Sequence, residues 1–473
     1  MEEGVEWCRA VVATLAALLG ACGGSGGERG AHDAGGGSCS ADEECPAEAP
    51  VCDRSTGGCV ACESSSESCG RFDGTPYCVD GGCVGCGDAG ESDWCTERNS
   101  MQPVCESETG QCRGCEANLE CDSGACARGE CVPEDESIYV APGGIATSDC
   151  TKRDPCATIA RGFEVAEALR RTVVLADGSY DEPVVVSVDS LVESMVGDGA
   201  IVERSTAGPV IRIRDNGINL ERIVVRGATG SNGHGIHCSG TGANFHYVRA
   251  MQLVVRENAR SGVLADDCSA ELLECVVEDN TGVGVLLSGA QSIGTLNSSW
   301  VRRNTGGGVD MDTGLYAILN SVVADNGNPV DAEVGGLVLH FTGLEGANEV
   351  KHVTVVRNSI ASASDRNSGV HCIEPPGRFT NSIAWENEGS AAQVGVECLA
   401  RYMLVSPGTF PGGEGNLAGE PAFVDPDDGD YDLGAASDAI DRGDPGGGLQ
   451  IDIHGDLRGE HEQADLGADE YVP

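Results

Sequence analysis

Three stretches of this sequence can be laid over one another: LVVRENARSGV (253–263), CVVEDNTGVGV (275–285) and SWVRRNTGGGV (299–309). Each begins with a short apolar run, places an asparagine behind it and closes on a Gly–Val pair. The asparagine returns as Asn258, Asn280, Asn304, Asn326, Asn358 and Asn387, at steps of 22, 24, 22, 32 and 29 residues. Similar runs return with it at Ser321-Val322-Val323 and Ser382-Ile383-Ala384, and similar pairs at Gly336-Leu337 and Gly369-Val370. Each unit reads strand, asparagine-bearing turn, strand. One unit cannot bury its apolar side alone, but stacked units share a continuous core. Asparagine suits the turn because it tolerates left-handed backbone and bonds locally, and inward-facing copies can stack as a ladder. The two longer steps contain inserted loops, Gly327–Val334 and Ile360–Ser368. The predicted class is mainly β: a right-handed parallel β-helix.

Outward from the repeats, residues 138–473 as a whole resemble the right-handed parallel β-helix, pectin-lyase-like superfamily. The opening carries the resemblance in Ile138-Tyr139-Val140-Ala141-Pro142-Gly143-Gly144, Asp154-Pro155-Cys156-Ala157-Thr158-Ile159 and Val174-Leu175-Ala176-Asp177-Gly178-Ser179-Tyr180. The closing segment, 413–473, carries it in Glu420-Pro421-Ala422-Phe423-Val424-Asp425, Asp438-Ala439-Ile440-Asp441-Arg442-Gly443 and Asp465-Leu466-Gly467-Ala468-Asp469-Glu470-Tyr471. The resemblance implies an exported bacterial β-helix. Many members cleave or bind acidic polysaccharides along a groove on one sheet. Between the opening strands, Ile159, Phe163, Ala166 and Leu169 fall at helical spacing within Ala157–Arg171. That spacing predicts a cap helix over the open end of the solenoid, where an unpaired edge would otherwise stand exposed.

The first part of the chain is organised by cysteine. Of 25 cysteines, 16 fall between Cys39 and Cys131. They form four modules in 39–132: Cys39, Cys45, Cys52, Cys59; Cys62, Cys69, Cys78, Cys83; Cys86, Cys95, Cys105, Cys112; and a shorter Cys115, Cys121, Cys126, Cys131. The C-x-x-C junctions would suit a shared zinc ion. An even count per module, with no histidine in the segment, favours disulfides in an oxidising compartment. Ahead of them, Ala10–Leu19 is an apolar core followed by Leu19-Gly20-Ala21-Cys22, which resembles a bacterial lipobox, although Glu2, Glu3 and Glu6 stand where positive charge is usual. The reading is a signal peptide at 1–21, lipidation at Cys22 and a Gly/Ser-rich tether at 22–38, with outer-membrane or cell-surface placement and plain secretion as the alternative. Cys150 with Cys156 and Cys372 with Cys398 are expected pairs. Cys238, Cys268 and Cys275 leave one thiol over, and a buried unreactive thiol at Cys238 fits the register.

Charge narrows the partners. Asp and Glu number 76 against 29 Lys and Arg, a net −47. Nothing in the sequence forms the basic patch that a nucleic-acid backbone requires. The longest apolar run, Ala10–Leu19, is half of the ~20 residues that a membrane-spanning helix needs, so contact with a membrane is expected through the lipid anchor alone. The partners left are a polysaccharide or a surface protein.

Register then selects candidate residues. With Val263, Val285, Val309 and Leu337 inward, alternation also sends Ala265, Leu287, Met311 and Leu339 inward. Asp266, Ser288, Asp312 and His340 form an outward column, with Asp310 beside Asp312. A polygalacturonase-like motif set fails: Gly233-His234-Gly235 precedes Asp266-Asp267, Arg212-Ile213-Arg214 precedes both, and Asn-Thr-Asp is absent. A Ser288–Asp312–His340 triad fails as well, because a hydrolytic triad needs the histidine in the middle. Asp266 and Asp312, two rungs apart, stand near the ~6.5–9.5 Å that separates the carboxylates of inverting glycosidases. Asp310, Asp312 and His340 could ligate calcium or line a sugar groove; the same residues serve equally as the polar face that every β-helix turns to water. In the tail, Asp425, Asp427, Asp428, Asp430 and Asp432 have the composition of a calcium loop without its order. No cofactor is required by these readings, and calcium is the one ion they could use. The expected function is a non-enzymatic, outward-facing binding or structural protein. The alternative is a polysaccharide lyase or glycoside hydrolase acting on the Asp266–His340 face, for which Lys351, Arg302 and Arg303 are the nearest cations in the repeats.

Overall fold

The computed structural model describes residues 39, 41–42, 45–54, 58–62, 69, 77–79, 82–89, 94–99, 101–107, 109–241, 246–289, 292–312, 314–340, 348–373, 378–389, 393–407, 412–459 and 463–473. The segment 1–38, with Cys22 and the tether, lies outside them. The chain divides into two units, one of residues 1–99 and 105–113, the other of residues 100–104 and 114–473.

In the first unit, every module closes by linking its first cysteine to its third and its second to its fourth: Cys39–Cys52 with Cys45–Cys59, Cys62–Cys78 with Cys69–Cys83, and Cys86–Cys105 with Cys95–Cys112. Small antiparallel hairpins, Val51–Asp53 with Gly58–Val60 and Tyr77–Val79 with Gly82–Val84, carry the later cysteines. The buried residues of each module are its cystines. Segments this short cannot build an aliphatic core, so the disulfides hold them together. Disulfides at this density are the chemistry of an exported protein.

The fourth module follows the same linkage, Cys115–Cys126 with Cys121–Cys131. The sequence groups it with the other three, yet it belongs to the second unit. Asn118 N–H donates to Asp198 at 2.8 Å, Arg128 N–H to Glu221 at 2.9 Å, and Arg222 reaches the Cys126 carbonyl at 2.6 Å. Ala125 and Ala127 pack with Tyr139, Val174 and Val196 of the first rungs. The module is the lining of the solenoid's first turns.

The second unit is a parallel β-helix. Its narrow sheet has eight strands in chain order: β1 (Val184–Val186), β2 (Ile211–Arg214), β3 (Ile236–Ser239), β4 (Val263–Asp266), β5 (Val283–Ser288), β6 (Gly307–Met311), β7 (Leu337–His340) and β8 (Val370–Ile373). Val263, Val285, Val309, Leu337 and Val370 stand in one register column, and Ala265, Leu287, Met311, Leu339 and Cys372 in another. Both columns are buried. Sixteen further strands form a wide sheet bent along its length. The bend falls at Arg222, Gln252, Glu274, Ser298, Asn320, His352, Asn381 and Tyr402, whose φ lies between 44° and 54°.

The asparagines do form a ladder, and its role differs from the expected one. Asn258, Asn280, Asn304, Asn326, Asn358 and Asn387 are buried. The N–H and Nδ2 of each donate to the next Oδ1, at 2.8 to 3.2 Å, and the series ends on Oε1 of Gln393. The left-handed residue is the one before each asparagine: Glu257, Asp279, Arg303, Asp325, Arg357 and Glu386. These side chains lie outside the core, so the turn fixes the backbone and the asparagine satisfies buried polar groups. Against the ladder runs the glycine column. A Cβ on Gly284 would stand 2.6 Å from Val301 and 2.7 Å from Nδ2 of Asn304; one on Gly308 would stand 2.4 Å from the Gly336 carbonyl. Only glycine fits there.

Two further expectations change. The cap helix runs only over Ile159–Glu164, opened by Thr158, whose hydroxyl accepts Arg161 N–H, and by Glu182, which accepts the first two N–H groups. Ile159 is buried, Phe163 and Ala166 pack against the core, and Leu169 is 76% exposed. Cys238 is not the odd thiol: it is bonded to Cys268, Cys150 to Cys156 and Cys372 to Cys398, which leaves Cys275 free and buried. Cys275 stands in a column with Ser299 and Ser321, and burial pushes its thiol up to about 12. Finally, the closing segment lies along the outer face of the wide sheet. Tyr431, Leu433, Ala439, Leu466 and Ala468 cover Val322, Ala324, Val356, Ile383 and Leu404. Arg458, its side chain 1% exposed, ties the segment down through Asn320, the Gly467 and Ala468 carbonyls and Glu470.

Candidate functional site

Alternation along β2 to β8 leaves two outward columns on the narrow sheet. The first runs Arg212, His237, Leu264, Leu286, Asp310, Val338, His371. The second runs Arg214, Ser239, Asp266, Ser288, with His340 further along on β7 and Asp312 directly after β6.

The four sequence candidates all lie on this face, paired off with their neighbours. Ser288 donates to Asp266 at 3.0 Å, and Nδ1 of His340 is 3.4 Å from Asp312. The serine therefore serves Asp266, and among the described residues no nucleophile is bonded to His340. Asp310 departs from the expected surface position. It is half-buried, and burial pushes its carboxyl up to about 6; Asp312 adds to this, against the pull of Arg366 and His340. The Ile360–Ser368 loop contributes Arg366. Two neighbouring carboxyl groups in such unlike surroundings are a feature of acid–base sites.

The other end of the face is cationic, and the sequence reading passed over it. Arg212 and Arg214 stand one above the other's flank on β2, with Arg204 close enough for its charge to be felt at Arg212. Among the described residues neither Arg212 nor Arg214 has a carboxylate within ion-pair distance. By contrast, Arg302 and Arg303 hold Glu278 at 2.9 and 2.7 Å, and Arg303 also holds Asp279. Arg302 and Arg303, named from the sequence as cations outside the outward column, are thus taken up by ion pairs on the wide sheet. Beside Arg212, the rings of His234 and His237 meet at a tilt of 58° with centroids 5.5 Å apart, and both Nδ1 atoms are buried without a hydrogen-bond partner. Burial holds His234 down at about 4, with His237, Arg260 and Arg212 adding to it. His237 is lowered for the same first reason, then by Arg212. Both rings are neutral at pH 7. The signal was available in the sequence: Ile211 and Ile236 carry the same frame as Val263, so counting alternation from the first rung would have placed Arg212, Arg214 and His237 on the face.

The tail aspartates do not converge. Asp427 pairs with Arg357 at 3.0 Å, Asp430 accepts the Asp432 N–H, and Asp425 belongs to a hairpin with Asp430. Of the five, only Asp432 enters a group whose ligand atoms lie together, and its companions are His454 and Asp469.

No family model and no curated protein matches the sequence. Among solved structures, pectate lyase Pel9A is similar at 13% identity and a TM-score of 0.49, over 71% of this chain and 96% of that one. Pectin methylesterase PemA from Erwinia chrysanthemi is similar at 12% identity and a TM-score of 0.29, over 50% and 80%. A rhamnogalacturonan lyase follows at 13% identity and 0.25, over 57% and 72%. The parallel β-helix itself is established by the chain's own rung register.

Proposed function

We propose that this is an exported binding protein, anchored at the bacterial envelope through Cys22, whose narrow-sheet face holds a carboxylated polysaccharide without cleaving it. The observation that carries the reading is the pair Arg212 and Arg214. In a chain of net charge −47, Arg212 and Arg214 set two positive charges side by side on this face, without a carboxylate partner among the described residues. Their guanidinium forks match a carboxylate in geometry and charge. A face that extends over stacked rungs suits a long polymer. The disulfide modules would then serve as a stalk.

Binding of the full-length protein to polygalacturonate and to a neutral glucan, with and without Ca²⁺, tests this. Polygalacturonate should bind, the neutral glucan should not, and Arg212→Ala with Arg214→Ala should abolish binding while the melt stays unchanged. Equal binding by wild type and the double variant would remove the reading. Replacement of Cys22 by Ser should move the protein from the membrane fraction to the soluble one.

One observation favours the lyase or hydrolase reading. Asp310, raised to about 6, adjoins Asp312 and faces Arg366 and His340. A carboxyl that keeps its proton near neutrality can serve as a general acid. Release of reducing ends or unsaturated products from the same polymer, lost in Asp310→Asn, would establish that reading instead.

A further inference from the structure

The closing segment brings three ligand-type atoms together on its outer surface. Oδ1 of Asp432 lies 2.8 Å from Nε2 of His454, which lies 3.9 Å from Oδ1 of Asp469; all three fall within 4.8 Å of one another. We infer that Asp432, His454 and Asp469 form a binding site for a first-row divalent cation of the zinc class.

The first argument is donor chemistry. Zinc is held by imidazole nitrogen and carboxylate oxygen at ~2.0–2.2 Å, which sets tetrahedral ligands roughly 3.4 Å apart. The 2.8 and 3.9 Å separations bracket that spacing, so side-chain rotation alone would bring the atoms into place. Calcium takes oxygen ligands and has little use for an imidazole. This separates the site from the calcium loop suggested by the aspartate-rich sequence.

The second argument is burial. The Asp469 side chain is 10% exposed. Its Oδ2 accepts the Leu433 N–H at 2.7 Å, while Oδ1 points at the imidazole from beyond hydrogen-bond distance. A carboxylate that is nine-tenths buried, with one oxygen free and aimed at two other ligands, is arranged to receive a cation. Two carboxylates and one imidazole carry two negative charges, which a divalent ion cancels.

The third argument is support from behind. Asp452 accepts the N–H groups of His454 and Asp456 on Oδ1 and that of Glu470 on Oδ2, and so fixes the loop that presents the histidine. The ligands come from the Asp430–Leu433 strand, the 452–456 loop and the final stretch. An ion would cross-link three separate pieces of the segment. His454 and Asp432 are 42% and 40% exposed, so the ion has an approach from water and a coordination position left for it.

The test uses the full-length protein freed of metal by chelation. Zn²⁺ titrated calorimetrically should bind at one saturable site per chain and raise the melting temperature. Co²⁺ should give visible ligand-field absorption that Zn²⁺ displaces and millimolar Ca²⁺ does not. His454→Ala and, separately, Asp432→Asn should weaken Zn²⁺ by at least about 10-fold, the loss that removal of an outer partner already brings to known sites. Both side chains are well exposed, so neither change opens the core; each removes the Asp432–His454 contact, and the metal-free melts of the two variants should fall by the same small amount. Zn²⁺ binding unchanged in both variants, or the absence of any saturable site, overturns the inference.

Discussion

At the scale of single residues, the fold rests on polar atoms satisfied inside an apolar core. Each ladder asparagine accepts two donors from the rung before it and gives two to the next. Asn304→Ala therefore strands the N–H of Asn280, takes a donor from the Val277 and Arg302 carbonyls, and leaves the Oδ1 of Asn326 with only the backbone N–H of residue 304. An unsatisfied buried group costs ~1–3 kcal/mol, so the variant should lose about 3 kcal/mol or more in a denaturant melt. The register gives a sharper contrast on β5. Leu287 is fully buried, whereas Leu286 faces outward between Leu264 and Asp310. Leu287→Asn should cost about 3–5 kcal/mol by burying an unpaired amide, and Leu286→Asn should stay within about 1 kcal/mol. Asparagine is the right probe because an aspartate at 286 would also repel Asp310. Equal effects at the two positions would show that the outward columns are misassigned.

At the scale of elements, the narrow sheet was legible because its period survives substitution. The Gly–apolar pairs set a phase, and alternation followed from β4 to β7. What the sequence hid is contact at long separation. It could not show that the 360–368 loop brings Arg366 near Asp310, that Ser288 serves Asp266, or that Asp432 meets His454 and Asp469 from 22 and 37 positions further along. Nor could periodicity show that the closing segment lies on the side of the wide sheet, since its own residues do not repeat. The covered position of Asp310 has a measurable consequence. Its carboxyl is raised to about 6 in the folded chain, against ~3.9 when unfolded, so the native state holds the proton more tightly. Stability from this group is complete below pH ~4 and is lost as pH rises through about 6. Asp310→Asn should therefore melt higher than wild type at pH 8 and match it at pH 4. The same difference at both pH values would mean that Asp310 titrates as an ordinary surface carboxyl.

At the scale of the whole molecule, two kinds of stability are joined in one chain. The solenoid's interior is a continuous, mainly aliphatic cluster from Ile138 to Val405, with cystines at Cys150–Cys156, Cys238–Cys268 and Cys372–Cys398. The modules from Cys39 to Cys112 are centred on cystines, with only partly buried Val51, Tyr77 and Trp94 packed against them among the described residues. Reduction should separate the two. Opening a loop of 13 to 19 residues removes about 3 kcal/mol per disulfide, more than a module without an apolar core can spare. The three modules should unfold under reductant at neutral pH, while the solenoid keeps its β circular dichroism and its melt. The fourth module decides where the boundary falls. Its cysteines are reduced as easily by spacing, but Asn118, Arg128 and Cys126 are hydrogen-bonded to Asp198, Glu221 and Arg222, and Ala125 and Ala127 are packed against Tyr139 and Val196. Those contacts do not depend on the disulfides. Limited proteolysis under reductant, read by mass spectrometry, should therefore trim the chain to a resistant core beginning near Gly114. A core beginning near residue 132 would show that the fourth module stands or falls with its disulfides, as the sequence grouping alone suggests.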